Sequence, residues 1–119
     1  MKNINKRLAA LTVLSHRVTV YVPATMGVAA AADNSRQVAE TATVLSQLFG
    51  GATSSKAVGY WVSDEAGLVS ENTTIVFAFA SDEALSAGID DVVDHCEKLK
   101  ADMMQEAVAL EIDGSMYFV

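Results

Sequence analysis

Nucleophilic chemistry has one obvious candidate in this sequence, the single cysteine Cys96, which directly follows His95. A thiolate nucleophile needs exposure and a base within reach. Adjacent helical residues point about 100° apart, so these two side chains diverge instead of forming a Cys–His dyad. Cys96 also falls on an apolar stripe, where free cysteine behaves as a small hydrophobe, and it is expected in the core. His95 stands one turn after Asp91, a pair that could share a hydrogen bond or supply half a metal site. Asp94 and Glu97 are only neighbours on what reads as the same solvated helix surface, so a charge-paired surface helix is the expectation. No metal, no cofactor and no catalytic residue is expected. His16 has no partner that sequence defines.

Two stretches could bind a ligand. In Gly50-Gly51-Ala52-Thr53-Ser54-Ser55-Lys56, glycine-freed backbone N–H groups, hydroxyls and one lysine could form an anion nest. A phosphate-cradling loop runs strand, loop, helix, however, and here the helix comes first and presents its negative end. A helix stop followed by a flexible loop is the competing reading. Gly59-Tyr60-Trp61, with Gly67 and Glu71, is the second stretch. Tyr60 and Trp61 point to opposite faces of a strand, so at most one joins the core and the other can stack on a ligand. Glu71 could act as a general base or accept a hydrogen bond from a base edge or sugar. The competing reading has Trp61 capping the core and Glu71 solvated. The candidate ligand-binding residues are thus Gly50, Gly51, Thr53, Ser54, Lys56, Tyr60, Trp61 and Glu71.

The elements that must position them follow from periodicity. Val18, Val20 and Val22 make one face of a first strand that Pro23 ends. Ala24 to Ala32 reads as a small-residue loop. Asp33, Asn34 and Ser35 offer a cap to a helix carrying Val38, Ala42, Leu45 and Phe49, stopped by Gly50-Gly51. Ala57 to Val62 is a strand, Ser63 to Gly67 a turn, and Thr73 to Ala80 a central strand. Ser81-Asp82-Glu83 opens a second helix with Leu85, Ile89, Val92, Cys96, Leu99 and Met103 on one stripe. Val108, Leu110 and Ile112, a turn at Asp113-Gly114, and Met116 to Val119 close the chain. The order β-α-β-β-α-β-β suits an α+β fold, a ferredoxin-like antiparallel sheet with two helices packed on one face. Its other face would carry Thr19, Tyr21, Thr74, Val76 and Trp61. An exposed apolar face of this size implies a homo-oligomer.

The chain has 119 residues, enough for one domain: residues 17–119, preceded by an N-terminal arm or short helix over 1–16. Half of it is apolar (51%), and 8 basic against 15 acidic residues give a net charge of -7. A chain of this charge lacks the basic stripe that nucleic-acid polymers require. Lys2, Lys6 and Arg7 before the Leu8–Leu14 run, and the alanines at 29–32, imitate a secretory leader. His16 and Arg17 interrupt it, and no apolar run approaches the ~20 residues of a membrane span. A cytoplasmic protein without membrane contact is expected.

Leu48-Phe49-Gly50-Gly51-Ala52-Thr53, then Gly59-Tyr60-Trp61 and Glu71, resembles a pattern in small uncharacterised α+β proteins of bacteria, phages and mobile elements. The similarity runs from Val18 to Val119 and includes Tyr21-Val22-Pro23 and Glu111 to Tyr117. It implies fold and context, and no activity. The expected function is a non-catalytic oligomeric binder, a phage or mobile-element accessory that sequesters a small ligand, a nucleotide-like one included, or blocks a basic host protein. With only Lys56, Arg17 and Arg36 as plausible cations, a highly charged nucleotide is disfavoured. The alternatives are a small dimeric ferredoxin-like enzyme acting on a hydrophobic small molecule, and a regulatory or assembly module.

Overall fold

The computed structural model describes residues 5–27 and 30–119. Lys2 and Ala29, both part of the leader-like pattern, lie outside the described residues. After a single helical turn α1 (Lys6–Ala9), capped by the Asn5 side chain, the chain enters strand β1 (His16–Pro23). A two-residue ribbon follows, β2 (Thr25–Met26) and β3 (Ala30–Ala31), where a plain loop was expected. Then come α2 (Ser35–Phe49), β4 (Thr53–Ser63), β5 (Gly67–Ala80), α3 (Asp82–Asp102), β6 (Ala109–Ile112) and β7 (Ser115–Phe118). The five long and short strands form one antiparallel sheet in the order β4-β5-β1-β6-β7. This is the expected α+β, ferredoxin-like plan.

Both helices bury their stripes on the same sheet face. Leu45 from α2, and Val92, Cys96 and Leu99 from α3, share one core with Val18, Val20 and Val22. Gly50 ends α2 in a left-handed conformation (φ 92°) and returns its N–H to the Ser46 carbonyl, the helix stop that the glycine pair signals. The Ser81 hydroxyl caps α3 by accepting from Ala84 N at 3.1 Å. Asp113 (φ 53°) and Gly114 (φ 87°) both adopt the left-handed region that a two-residue hairpin turn demands.

Two expectations about faces change. Thr74 and Val76 lie under the helices instead of on the bare face. Cross-strand partners share a face, and they pair with Val22 and Val20. Ile75, Phe77 and Phe79 therefore join Thr19 and Tyr21 on the helix-free side. There the Arg17 guanidinium stacks 4.2 Å from the Phe77 ring centre. His95 is also not a surface residue. It is buried between α2 and α3, with Nε2 2.7 Å from the Thr41 hydroxyl. That hydroxyl already donates to the Gln37 carbonyl at 2.7 Å, so His95 Nε2–H is the donor. Burial lowers the His95 pKa.

His16, silent in the sequence, ties three segments together. Its Nδ1 lies 2.5 Å from Asp113 Oδ2 and its Nε2 meets Asp82, in the first turn of α3. Asp113 Oδ1 also accepts from Arg17 N at 2.7 Å. The bond to Asp113, followed by that to Asp82, raises the His16 pKa.

Candidate active-site cleft

The β4–β5 hairpin is far longer than the two short strands predicted. Its register runs from Thr53↔Phe77 to Ser63↔Gly67. Its tip is tied by the Ser63 hydroxyl, which accepts from the Glu65 and Ala66 N–H groups. Because β1 stops at Pro23, opposite Thr73, the hairpin continues past the sheet as a projecting arm. The radius of gyration is 16.2 Å, against about 13.5 Å for a compact chain of this length.

The crook between this arm, the β2–β3 ribbon and the segment after α3 forms a cleft of about 780 Å³. Gln105 fixes its walls. Its side-chain Nε2 reaches the carbonyls of Thr25 (3.0 Å), Gly27 (2.8 Å) and Met103 (3.0 Å), and Gly27 N donates to Met103 O at 2.8 Å. Ala24, Ala31, Ala66, Val69 and Ala107 supply apolar lining, and Trp61 supplies an aromatic ring. Glu71 and Glu106 bring two carboxylates, and no lysine, arginine or histidine lines the cleft among the described residues. Trp61 Nε1–H donates to Glu71 Oε1 at 3.3 Å. Gly59 stands directly opposite Glu71, so no cross-strand side chain crowds the carboxylate. On its other side Glu71 borders a smaller hollow of about 220 Å³ with Tyr21 and Gly59. There Tyr21 OH donates to Glu111 Oε1 at 3.2 Å, and burial foremost raises the tyrosine pKa.

Of the candidate residues, only Trp61 and Glu71 line the cleft. Tyr60 points to the other face and is exposed. Thr53, Ser54 and Lys56 belong to β4 and pair with Phe77, Val76 and Thr74. The candidate anion nest is therefore not formed, because ladder pairing has straightened the backbone a nest would curl. Lys56 borders a separate hollow at the start of α2, and Gly50, Gly51 and Thr53 border a third beside Phe77 and Phe79. Eight residue steps along the strand separate Thr53 from Trp61, about 27 Å. Cys96 is wholly buried, and its thiol pKa is pushed up to about 12 by burial. Sequence reasoning missed Gln105, Thr25 and Ser70. Gln105 contacts Thr25 across 80 positions, and no local signal could have paired them.

No protein-family model matches the chain, and no curated protein does. The proposed sequence pattern accordingly has no support beyond the fold. Solved structures do share that fold. A phage SAM lyase in complex with S-methyl-5′-thioadenosine matches with a TM-score of 0.62 and 18% identity, over 87% of this chain and 88% of the other. The same description, in the apo state, matches at 0.61 and 19%, over 87% of each chain. The divalent ion tolerance protein CutA1 from Ehrlichia chaffeensis matches at 0.53 and 11%, over 84% of this chain and 79% of its own. At these identities the likeness establishes a small α+β fold.

The expectation of a non-catalytic, sequestering binder is corrected at this point. The phage structures that share the fold along nearly the whole chain are those of an enzyme, and the enzyme alternative fits them better. Among the described residues no helix is long and apolar enough to cross a membrane.

Proposed function

We propose that this protein is a lyase of S-adenosylmethionine that releases S-methyl-5′-thioadenosine. The observation that carries the reading is the lining of the cleft beside the β4–β5 arm. Two carboxylates, a tryptophan and small apolar side chains, with no cationic side chain, suit a compact cation that also carries an aromatic base. S-adenosylmethionine is such a molecule, with a sulfonium and an ammonium against one carboxylate. The shared fold with the phage SAM lyase supports the same assignment.

The chemistry requires no nucleophile or general acid–base pair from the protein. A lyase adds no water, so the group that displaces sulfur comes from the substrate. The substrate's own carboxylate oxygen bonds to its γ-carbon, the carbon–sulfur pair of electrons passes to sulfur, and the sulfonium charge disappears. The products are a neutral thioether nucleoside and a five-membered lactone that keeps the ammonium group. No proton moves. Opposite charges annihilate in this step, so removal of water from around the reacting groups favours it. The protein's task is to fold the substrate into the reactive geometry. Glu71, held by Trp61, attracts the substrate's positive charge. We further propose that the protein works as a homo-oligomer, since Val58, Tyr60, Val62 and Leu68 expose apolar surface along the projecting arm.

The test is incubation of the purified protein with S-adenosylmethionine and chromatographic detection of S-methyl-5′-thioadenosine. Glu71→Gln is expected to slow its formation tenfold or more, with most of the loss in KM. Absence of the thioether nucleoside with the wild-type protein would refute the assignment.

A further inference from the structure

Among the described residues, one strand edge inside the cleft is left open by the way β1 ends. Ala24 N donates to Asn72 O at 3.3 Å, the last rung between the β1 side and β5. In an antiparallel ladder, alternate residues turn both main-chain polar groups to the same side. Asn72 faces β1, so Ser70, two residues away, turns its N–H and C=O to that side too. The register would set Met26 opposite Ser70, but β1 stops at Pro23, and Met26 pairs instead with Ala30 in the ribbon. Among the described residues no strand pairs with this edge at Ser70, and Ser70 lines the cleft. A donor and an acceptor thus stand side by side, flanked by Ala24, Ala66 and Val69.

We propose that the Ser70 main chain reads the edge of an adenine base. Adenine offers an acceptor ring nitrogen beside the N6 amino donor, the complement of one N–H and one C=O. The apolar neighbours supply walls for the flat ring. This inference rests on the lyase reading and adds to it the means by which the base is chosen. A base with a carbonyl at position 6 sets two acceptors, or a donor and acceptor in reversed order, against Ser70 and leaves at least one group unpaired.

Equilibrium binding of S-methyl-5′-thioadenosine and S-methyl-5′-thioinosine to the purified protein tests it. The inosine compound is expected to bind about tenfold to a hundredfold more weakly. Ser70→Pro removes the N–H that points away from β4 and so spares the hairpin ladder. It is expected to weaken the adenine compound and reduce the preference, while Ser70→Ala leaves both unchanged. Should the proline variant fail to fold by circular dichroism, the two nucleosides still decide. Equal binding of both overturns the role of Ser70 and leaves the lyase reading intact. Binding of neither, together with no cleavage of S-adenosylmethionine, removes the lyase reading and this inference with it.

Discussion

Trp61 and Glu71 meet diagonally across the β4–β5 hairpin: the indole N–H donates to the carboxylate at 3.3 Å although each residue pairs with another, Val69 and Gly59. The bond holds the carboxylate at the mouth of the cleft and turns the indole ring along its wall. Trp61 is 48% exposed, so it is not a core tryptophan. Trp61→Ala is expected to destabilise the fold by less than about 1 kcal/mol, whereas deleting a core ring costs about 3–5 kcal/mol. Urea unfolding measures this, and cleavage of S-adenosylmethionine should fall in the same variant.

Leu99→Ala is expected to destabilise by about 2–5 kcal/mol, because Leu99 is wholly buried between α3 and the valine face of β1. A loss below about 0.5 kcal/mol in equilibrium denaturation would mean that α3 does not pack as described.

Cys96 should resist alkylation in the native protein. Its thiol is wholly buried, and burial has pushed its pKa up to about 12. Labelling by iodoacetamide at pH 8 is expected only as fast as the protein opens, and urea should accelerate it sharply. Rapid labelling without denaturant would contradict the buried placement.

The two histidines are expected to bend the pH–stability curve in opposite directions about the ordinary histidine pKa of 6.5. His95 has a lowered folded pKa, so below 6.5 the unfolded chain binds the extra proton and stability rises with pH. His16 has a raised folded pKa, so above 6.5 the folded chain holds the extra proton and stability falls as pH rises. Together they place a maximum near pH 6.5. Thermal melts from pH 5 to 9 should show His16→Asn flattening the alkaline limb and His95→Gln the acidic limb. An unchanged curve in both variants would refute the assignment.

Both helices, the glycine stop of α2, the closing hairpin and the buried Cys96 were legible because each rests on local periodicity or turn chemistry. The length of the β4–β5 hairpin was not. Thr53-Ser54-Ser55-Lys56 and Leu68 to Asn72 lack the apolar alternation that marks a half-buried strand. They extend because each ladders with a more apolar stretch, Thr53 to Lys56 with Phe77 to Thr74 and Leu68 to Asn72 with Val62 to Val58, a relation that composition does not show. The faces of β5 were misjudged for a related reason. Thr74-Ile75-Val76-Phe77 is apolar on both sides, and only pairing with β1 decides which side meets the helices. Trp61 and Glu71 were found as a pair because the turn at residues 64–66 brings them close. The Gln105 brace and the open edge at Ser70 arise where elements end, and no residue type announces such a place.

The central position of β1 also shapes how the chain must be made. Val18 pairs with Ala78 on one side and with Ile112 on the other, 60 and 94 positions later. During synthesis at about 5–20 residues per second, this strand waits several seconds with both edges bare and its valine face uncovered. β4–β5 and β6–β7 can close locally as hairpins, but the sheet joins only when β1 bridges them. A nascent chain of this protein is therefore expected to engage a holding chaperone until its last strands have left the ribosome.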